Sequence, residues 1–267
     1  MTRTRASAGA LVAAGLLVAL GPGGSARGGA PPAGARMENR SVDATLARTP
    51  LITQGGSRRR DVALTFDDGP DVWTPRIVRE LLRLHAPATF FEIGSQVASH
   101  RGLTRRLARD GFPVGDHTET HPLLARHGPG FQMRELRRAA QRIAAAGAPY
   151  PRLFRPPYGS FDATTLSIVA RMRMLMVLWS ADTDDWAKPG AGRIVEAALS
   201  HLRPGAIILM HDGGGDRRQT LAALPTIVHR LRARGYRLVT IPRMLVDDPP
   251  ARHQSIADGL GPSATAS

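Results

Sequence analysis

The heptapeptide DHTETHP, Asp116–Pro122, sets two histidines four positions apart in a short polar run. Neutral imidazoles are metal ligands, and at i and i+4 two of them can share one face of a helical turn and bind a single cation. The same pair can equally sit on a surface without one. The order departs from the metalloprotease helix, in which glutamate follows the first histidine directly: here Thr118 follows His117 and Glu119 comes one place later. A carboxylate base must then come from elsewhere, and the adjacent acids of TFDDGP, Asp67 and Asp68, are the obvious supply. Two neighbouring carboxylates can divide labour, one bound to a metal and the other free to take a proton. Taken by itself DDGP is also a good turn, with Asp accepting local backbone bonds, Gly permitting positive φ and Pro fixing the chain.

Three further segments carry residues of the same kind. In FRPPYG, Phe154–Gly159, an arginine closes an apolar run where a buried guanidinium would need an anion, which suggests pairing with a site carboxylate. DTDDW, Asp182–Trp186, begins like a calcium loop but fails as one, because Ala187 stands at the glycine position and Arg193 at that of the bidentate glutamate. LMHD, Leu209–Asp212, ends a very apolar run with a histidine, which in such a place is more often structural than catalytic. Gly213–Gly215 read as a flexible loop beside the site. The chain has no cysteine, so thiolate nucleophiles, cysteine–zinc clusters and disulfides are excluded, and any metal must be held by His, Asp or Glu. No nucleophile elbow, phosphate loop or dinucleotide-binding glycine pattern is present.

The elements that must position these residues follow from hydrophobic patterning. Apolar runs at 61–67, 88–94, 113–118, 151–157, 174–182, 206–212 and 237–242 predict strands. Amphipathic stretches at 74–85, 96–110, 132–146, 163–171, 193–201 and 218–234 predict the helices between them. Such alternation implies a mostly parallel sheet, and continuous apolar strands such as AIILM imply burial on both faces. Pattern alone leaves an irregular barrel and an open doubly wound sheet both standing. In either, ligands sit beyond the C-terminal strand ends. Asp67, Asp68, His117, His121, Arg155, Asp182, Asp185, His211 and Asp212 all fall at that edge.

A chain of 267 residues, 42% of them hydrophobic, can bury one sizeable core. Residues 1–26 read as a cleaved export signal: MTRTR is basic, Ala10–Gly21 is an apolar run short for a membrane span, and Gly24-Ser25-Ala26 offers a cleavage site. The Pro/Gly/Ala-rich residues 27–57 are expected to be an unstructured linker, 58–246 a single catalytic domain, and 247–267 an unstructured tail. The net charge of +14 would suit a polyanionic partner, but Lys188 is the only lysine, and so strong an arginine bias looks like codon preference. Met133, Leu136, Ala140 and Ile143 predict a buried stripe with Arg134, Arg138 and Arg142 on the solvated side. No nucleic-acid-binding motif accompanies the charge.

In order along the chain, TFDDGP (65–70), HTETH (117–121), FRPPYG (154–159), DTDDW (182–186) and LMH (209–211) resemble the five motifs of the polysaccharide deacetylases. These are the NodB-homology group, also called carbohydrate esterase family 4, and the resemblance spans Asp61 to Met244. It implies an α/β fold, a distorted parallel (β/α) barrel of about seven strands. It also implies metal-dependent hydrolysis of acetyl groups on polysaccharides, with an extracellular or wall location. Carried over residue by residue, it implies Asp68, His117 and His121 as metal ligands, Asp67 as catalytic base and His211 as general acid. Arg155 matches the arginine that orients the base, Asp185 the aspartate paired with the acid, and the Tyr158 backbone N–H the oxyanion donor. Trp186 and Leu209 match apolar walls of the acetyl pocket, with Pro156 placed beside them as a substrate contact. Asp116 departs from the asparagine more usual at its position.

The expected protein is therefore a secreted, metal-dependent N-deacetylase of N-acetylglucosamine-type glycans, peptidoglycan foremost and chitooligosaccharide next. The expected ion is zinc, with cobalt or a similar cation as alternative. An O-acetyl xylan esterase is the runner-up. A silent glycan-binding module is the reading from another class, and the paired base and acid argue against it, since binding needs neither. No nucleic-acid partner, no membrane span after cleavage and a monomer are expected.

Overall fold

Runs of β-branched and aromatic residues form the strands, and the amphipathic stretches between them form helices, in the computed structural model of the chain, which describes residues 1–2, 33–200 and 202–256. The strands are β1 Leu51–Ile52, β2 Asp61–Gly69, β3 Ala88–Glu92, β4 Val114–Asp116, β5 Leu153–Phe154, β6 Leu175–Val177, β7 Ala181–Asp182, β8 Ala206–His211 and β9 Arg237–Leu238. The α-helices are α1 Ala33–Leu46, α2 Thr74–Arg83, α3 Gly94–Ser99, α4 Arg101–Arg109, α5 Pro129–Ala145, α6 Ala163–Arg171, α7 Ala191–Ser200, α8 Arg218–Ala233 and α9 Ile241–Asp247. The strands make one sheet in the order β1-β6-β5-β4-β3-β2-β8-β7, with β9 beside the start of β2. Each of these pairings is parallel.

The apolar run at 174–182, expected as one strand, is two. β6 lies next to one end of the sheet and β7 forms the other end, yet only Leu178–Ser180 separate them. Within that link Leu178 N–H donates to Ile52 O and Ser180 N–H to Ile207 O. The sheet thus curls until its two ends are joined by three residues of chain, which gives the distorted barrel.

Alternation along the strands sorts the core. Val62, Leu64, Phe66, Phe90, Ile208 and Met210 face outward onto α2, α7 and α8 through Ile77, Leu81, Ile194, Leu224 and Ile227. Ala63, Phe91, Leu153, Leu175, Val177 and Ile207 face the other way and cluster with Val42 of α1 and Ile241, Met244 and Leu245 of α9. Phe90 stacks on Phe66 at 5.2 Å between ring centroids and meets the edge of Phe112 at 5.5 Å. Phe90→Ala should therefore cost about 3–5 kcal/mol of unfolding free energy, read as a lower urea midpoint, with the strand-end polar residues left in place.

Three expectations are corrected here. The presumed linker 27–57 holds α1 and β1, so folding begins well before Asp61. A single buried valine in α1 and a two-residue strand leave no periodic signal; tertiary contacts decide both. The presumed tail is docked as far as it is described: Asp248 is buried and accepts from Arg58 and Arg59 N–H at 2.7 and 2.9 Å, and Gln254 Oε1 accepts from Thr53 N–H at 3.0 Å. The helix expected over 96–110 breaks at His100, whose φ of −130° ends α3. The export signal and residues 257–267 lie outside the described residues. No helix among those described is long and apolar enough to cross a membrane.

Candidate active site

Strict alternation would send Asp67 into the barrel mouth with Ala63 and Thr65, and Asp68 out toward the helices. The sheet register avoids this. Asp67 pairs with Phe91 and Gly69 with Glu92, so Asp68 is an extra residue in β2, a bulge with φ of 73°. Both carboxylates then face His117, whose Nε2 lies 3.8 Å from Asp67 Oδ2 and 3.5 Å from Asp68 Oδ1. His121 Nε2 is 3.1 Å from the same Asp68 oxygen.

The two histidines do not share a helical turn, as their spacing allowed. They leave β4 in a loop with left-handed residues at Thr118 (φ 69°) and His121 (φ 62°). Asp116 Oδ1 accepts from Thr118 N–H at 2.8 Å, and Thr118 Oγ1 accepts from His121 N–H at 3.0 Å. From α5, Glu135 Oε2 accepts from Thr120 N–H at 2.7 Å. Glu119 turns away from the histidines and pairs with Arg142 of α5 at 2.7 Å. It anchors the loop and takes no part in the ligand set.

Asp68, His117 and His121 each offer one ligand atom within 4.8 Å of the others. His117 Nδ1–H donates to Arg155 O at 2.7 Å, which fixes the tautomer and leaves the Nε2 lone pair for a cation. Asp68 Oδ1 is buried and takes no hydrogen bond of good geometry. Burial alone would raise the Asp68 carboxyl, but the imidazoles of His117 and His121 and the charge of His211 hold it well below the usual carboxylate range. One anionic oxygen and two imidazole nitrogens suit zinc or a similar divalent ion with positions left open. The residues present therefore fit a metal.

Arg155, fully buried, follows β5 on the inward side. It donates to Asp67 Oδ1 and Thr65 Oγ1, both at 2.8 Å, and to the carbonyls of Val177 and Leu178 at 3.0 and 3.1 Å. Its guanidinium also lies 4.3 Å over the Phe91 ring. This net leaves Asp67 little freedom. On the neighbouring strand His211 pairs in register with Asp67. Its Nδ1–H donates to Asp185 Oδ1 at 2.7 Å, while Asp185 Oδ2 accepts from His211 N–H at 2.9 Å and from the Thr220 hydroxyl at 2.6 Å. Burial opposes a charge on His211, but Asp185, with Asp68 and Asp67 behind it, outweighs burial and pushes the imidazolium pKa up to about 9.

The other expected residues surround this centre. Tyr158 is exposed, at φ 58°, with its ring 4.6 Å from that of His121. The hydrogen bonds of its turn run from Gly159 and Ser160, so the Tyr158 N–H is not spent on them. Trp186 is half exposed, Leu209 is 4% exposed on the inward side of β8, and Pro156 is buried at the head of the Tyr158 turn. Asp182 accepts from Asp184 N–H and stays out of the ligand set. Sequence reasoning missed Thr65 and Thr220, which bond Arg155 and Asp185, and Glu135 and Arg142, which hold the histidine loop through Thr120 and Glu119. Only Thr65 left a signal, two positions before Asp67 on the same face.

Residues 54–177 match the family described as polysaccharide deacetylase. The chitooligosaccharide deacetylase of Bradyrhizobium sp. (strain ANU 289) is 39% identical over 201 residues, covering 70% of this chain and 92% of that protein. A peptidoglycan-N-acetylglucosamine deacetylase of Bacillus cereus is 36% identical over 187 residues, 69% of this chain and 87% of its own. Among solved structures, the Bc1960 peptidoglycan N-acetylglucosamine deacetylase superposes with a TM-score of 0.72 at 31% identity, over 75% of this chain and 95% of that one. The family 4 carbohydrate esterase of Streptomyces lividans gives 0.66 at 36% identity, over 74% and 99%.

Proposed function

The chain belongs to the polysaccharide deacetylase family, and from that premise we propose that it is an exported, zinc-dependent N-deacetylase of N-acetylglucosamine glycans, with peptidoglycan as the foremost substrate. One observation carries the reading: an Arg155-held Asp67 and an Asp185-held His211 stand on adjacent strands beside the Asp68–His117–His121 trio. A binding module needs neither. The names of the relatives support the substrate, and the basic, apolar, small-residue N-terminus supports export.

A divalent ion held by the trio would polarise the acetyl carbonyl and acidify a water. Asp67 takes the proton of the attacking water, and Arg155, itself fixed by its bonds to Thr65, Val177 and Leu178, keeps the carboxylate aimed through its bond to Oδ1. Tyr158 N–H donates to the carbonyl oxygen as that oxygen gains charge, an interaction strongest in the transition state. An amine is a poor leaving group until protonated, so His211 delivers its proton to the nitrogen as the C–N bond breaks. Asp185 stabilises the imidazolium until then. Acetate and a free amino sugar result.

The direct test is acetate release from peptidoglycan, N-acetylglucosamine oligomers and acetylated xylan by zinc-loaded protein. Release from the N-acetyl substrates is expected. Release from xylan alone would make the chain an esterase, and none from any of them would end the proposal.

The acid half also predicts a pH profile. His211 acts in its protonated form, so activity should hold through neutrality and fall on the alkaline side, where the imidazolium gives up its proton. A cation held by the trio would offset the charge of Asp68 and leave Asp185, bonded directly to the ring, as the main group keeping His211 charged. Asp185→Asn should then move the alkaline limb of kcat/KM to lower pH, by about one unit or more. An unmoved limb would dissociate the pair from the reaction.

A further inference from the structure

We propose that Asp212 is a positioning residue that fixes the acid-bearing end of β8 against the base- and metal-bearing end of β2, an inference that rests on the deacetylase reading of this site. Asp212 directly follows His211 and is 1% exposed. Its N–H donates to Asp67 O at 3.0 Å, one residue after His211 N–H donates to Asp185. Its carboxyl Oδ2 accepts from the hydroxyl of Thr74, the first residue of α2, and that hydroxyl in turn accepts from Asp71 N–H at 2.8 Å. One side chain thus ties the acid strand to the loop and helix that follow Asp67 and Asp68.

Steric fit closes the same junction from both sides. A Cβ on Gly69 would overlap the Asp212 carboxyl, and a Cβ on Gly213 would overlap the backbone carbonyl of Asp68. The glycine after His211-Asp212 is therefore required for close approach, where a flexible loop was expected. Asp212 Oδ1 has no hydrogen-bond partner. A buried acid with an unsatisfied oxygen is a poor device for stability. What it does secure is the spacing between His211 and the Asp67–Asp68 pair, and a misplacement of about 1 Å in such a pair can cost 10²-fold in rate.

The test compares Asp212→Ala, Asp212→Asn, Thr74→Val and the Asp212→Ala/Thr74→Val double variant in the full chain. It reads kcat, KM, zinc affinity by competition with a chromogenic chelator, and the urea midpoint. Asp212→Ala is expected to lower kcat about 10²-fold with KM nearly unchanged and to weaken zinc about 10-fold, without a matching loss of stability. Asp212→Asn, which keeps the acceptor for Thr74, should stay close to the parent. Thr74→Val should move both readouts in the same direction, and the double variant should be no worse than Asp212→Ala, because the pair acts as a unit. Parental kcat or parental zinc affinity in Asp212→Ala, or additive losses in the double variant, would overturn the proposal; should Asp212→Ala not fold, parental zinc affinity in Thr74→Val does so. The zinc competition needs no substrate. Inactivity of the parent on every glycan sinks the deacetylase reading, while unchanged zinc affinity sinks this one.

Discussion

Asp67→Asn should lower acetate release by roughly 10²–10⁴-fold, the range a positioned general base contributes, with zinc still bound and KM little changed. The substitution keeps shape and one acceptor oxygen, so Arg155 retains its bonds to Thr65, Val177 and Leu178. What disappears is the basic oxygen and the countercharge of a fully buried guanidinium. Breaking such a pair is costly, about 3–5 kcal/mol where one partner is simply removed, so the rate must be read at a temperature where the variant is folded. Single-turnover kinetics at saturating substrate, with zinc content measured on the same sample, separate the base from the metal. A variant that keeps half the parental rate would show that the proton goes elsewhere.

The second large effect is at the neighbouring residue. Asp68→Asn should leave the protein folded and without stoichiometric zinc. Asn tolerates the left-handed backbone that Asp68 adopts at φ 73°, where most other side chains would add strain to the loss of the ligand. Acetate release should fall by about 10³-fold or more, the equivalent of the several kcal/mol that a Lewis acid contributes. Metal analysis after dialysis and a rate measurement in excess zinc check this together. Full zinc occupancy in the variant would remove Asp68 from the ligand set, whatever the rate.

Much of the site was legible because each motif is local. Asp67, Asp68, His117, His121, Arg155, Asp185 and His211 were expected at strand ends, and the parallel sheet brings all of them to one edge. What the chain did not disclose depends on partners far away in sequence. The register that turns Asp68 inward is set by β3; Thr220 reaches Asp185 across 35 positions. α1 and β1 carry no periodic pattern of their own because their order comes from α9 and β6, which cover them. The division of 174–182 into β6 and β7 follows from which strands lie on either side of it. Glu119 anchors the histidine loop through Arg142, a pairing that depends on where α5 packs and that the local sequence does not disclose.

The bulge in β2 restricts position 68 twice over. Chemistry asks for an anionic oxygen, and the backbone asks for a residue at ease in a left-handed conformation. Aspartate meets both demands; asparagine and glycine meet only the second. A lineage that gave up the cation while keeping this barrel would thus have two inexpensive exits at this position, and comparing members of the family there offers a historical record of which ones still bind metal.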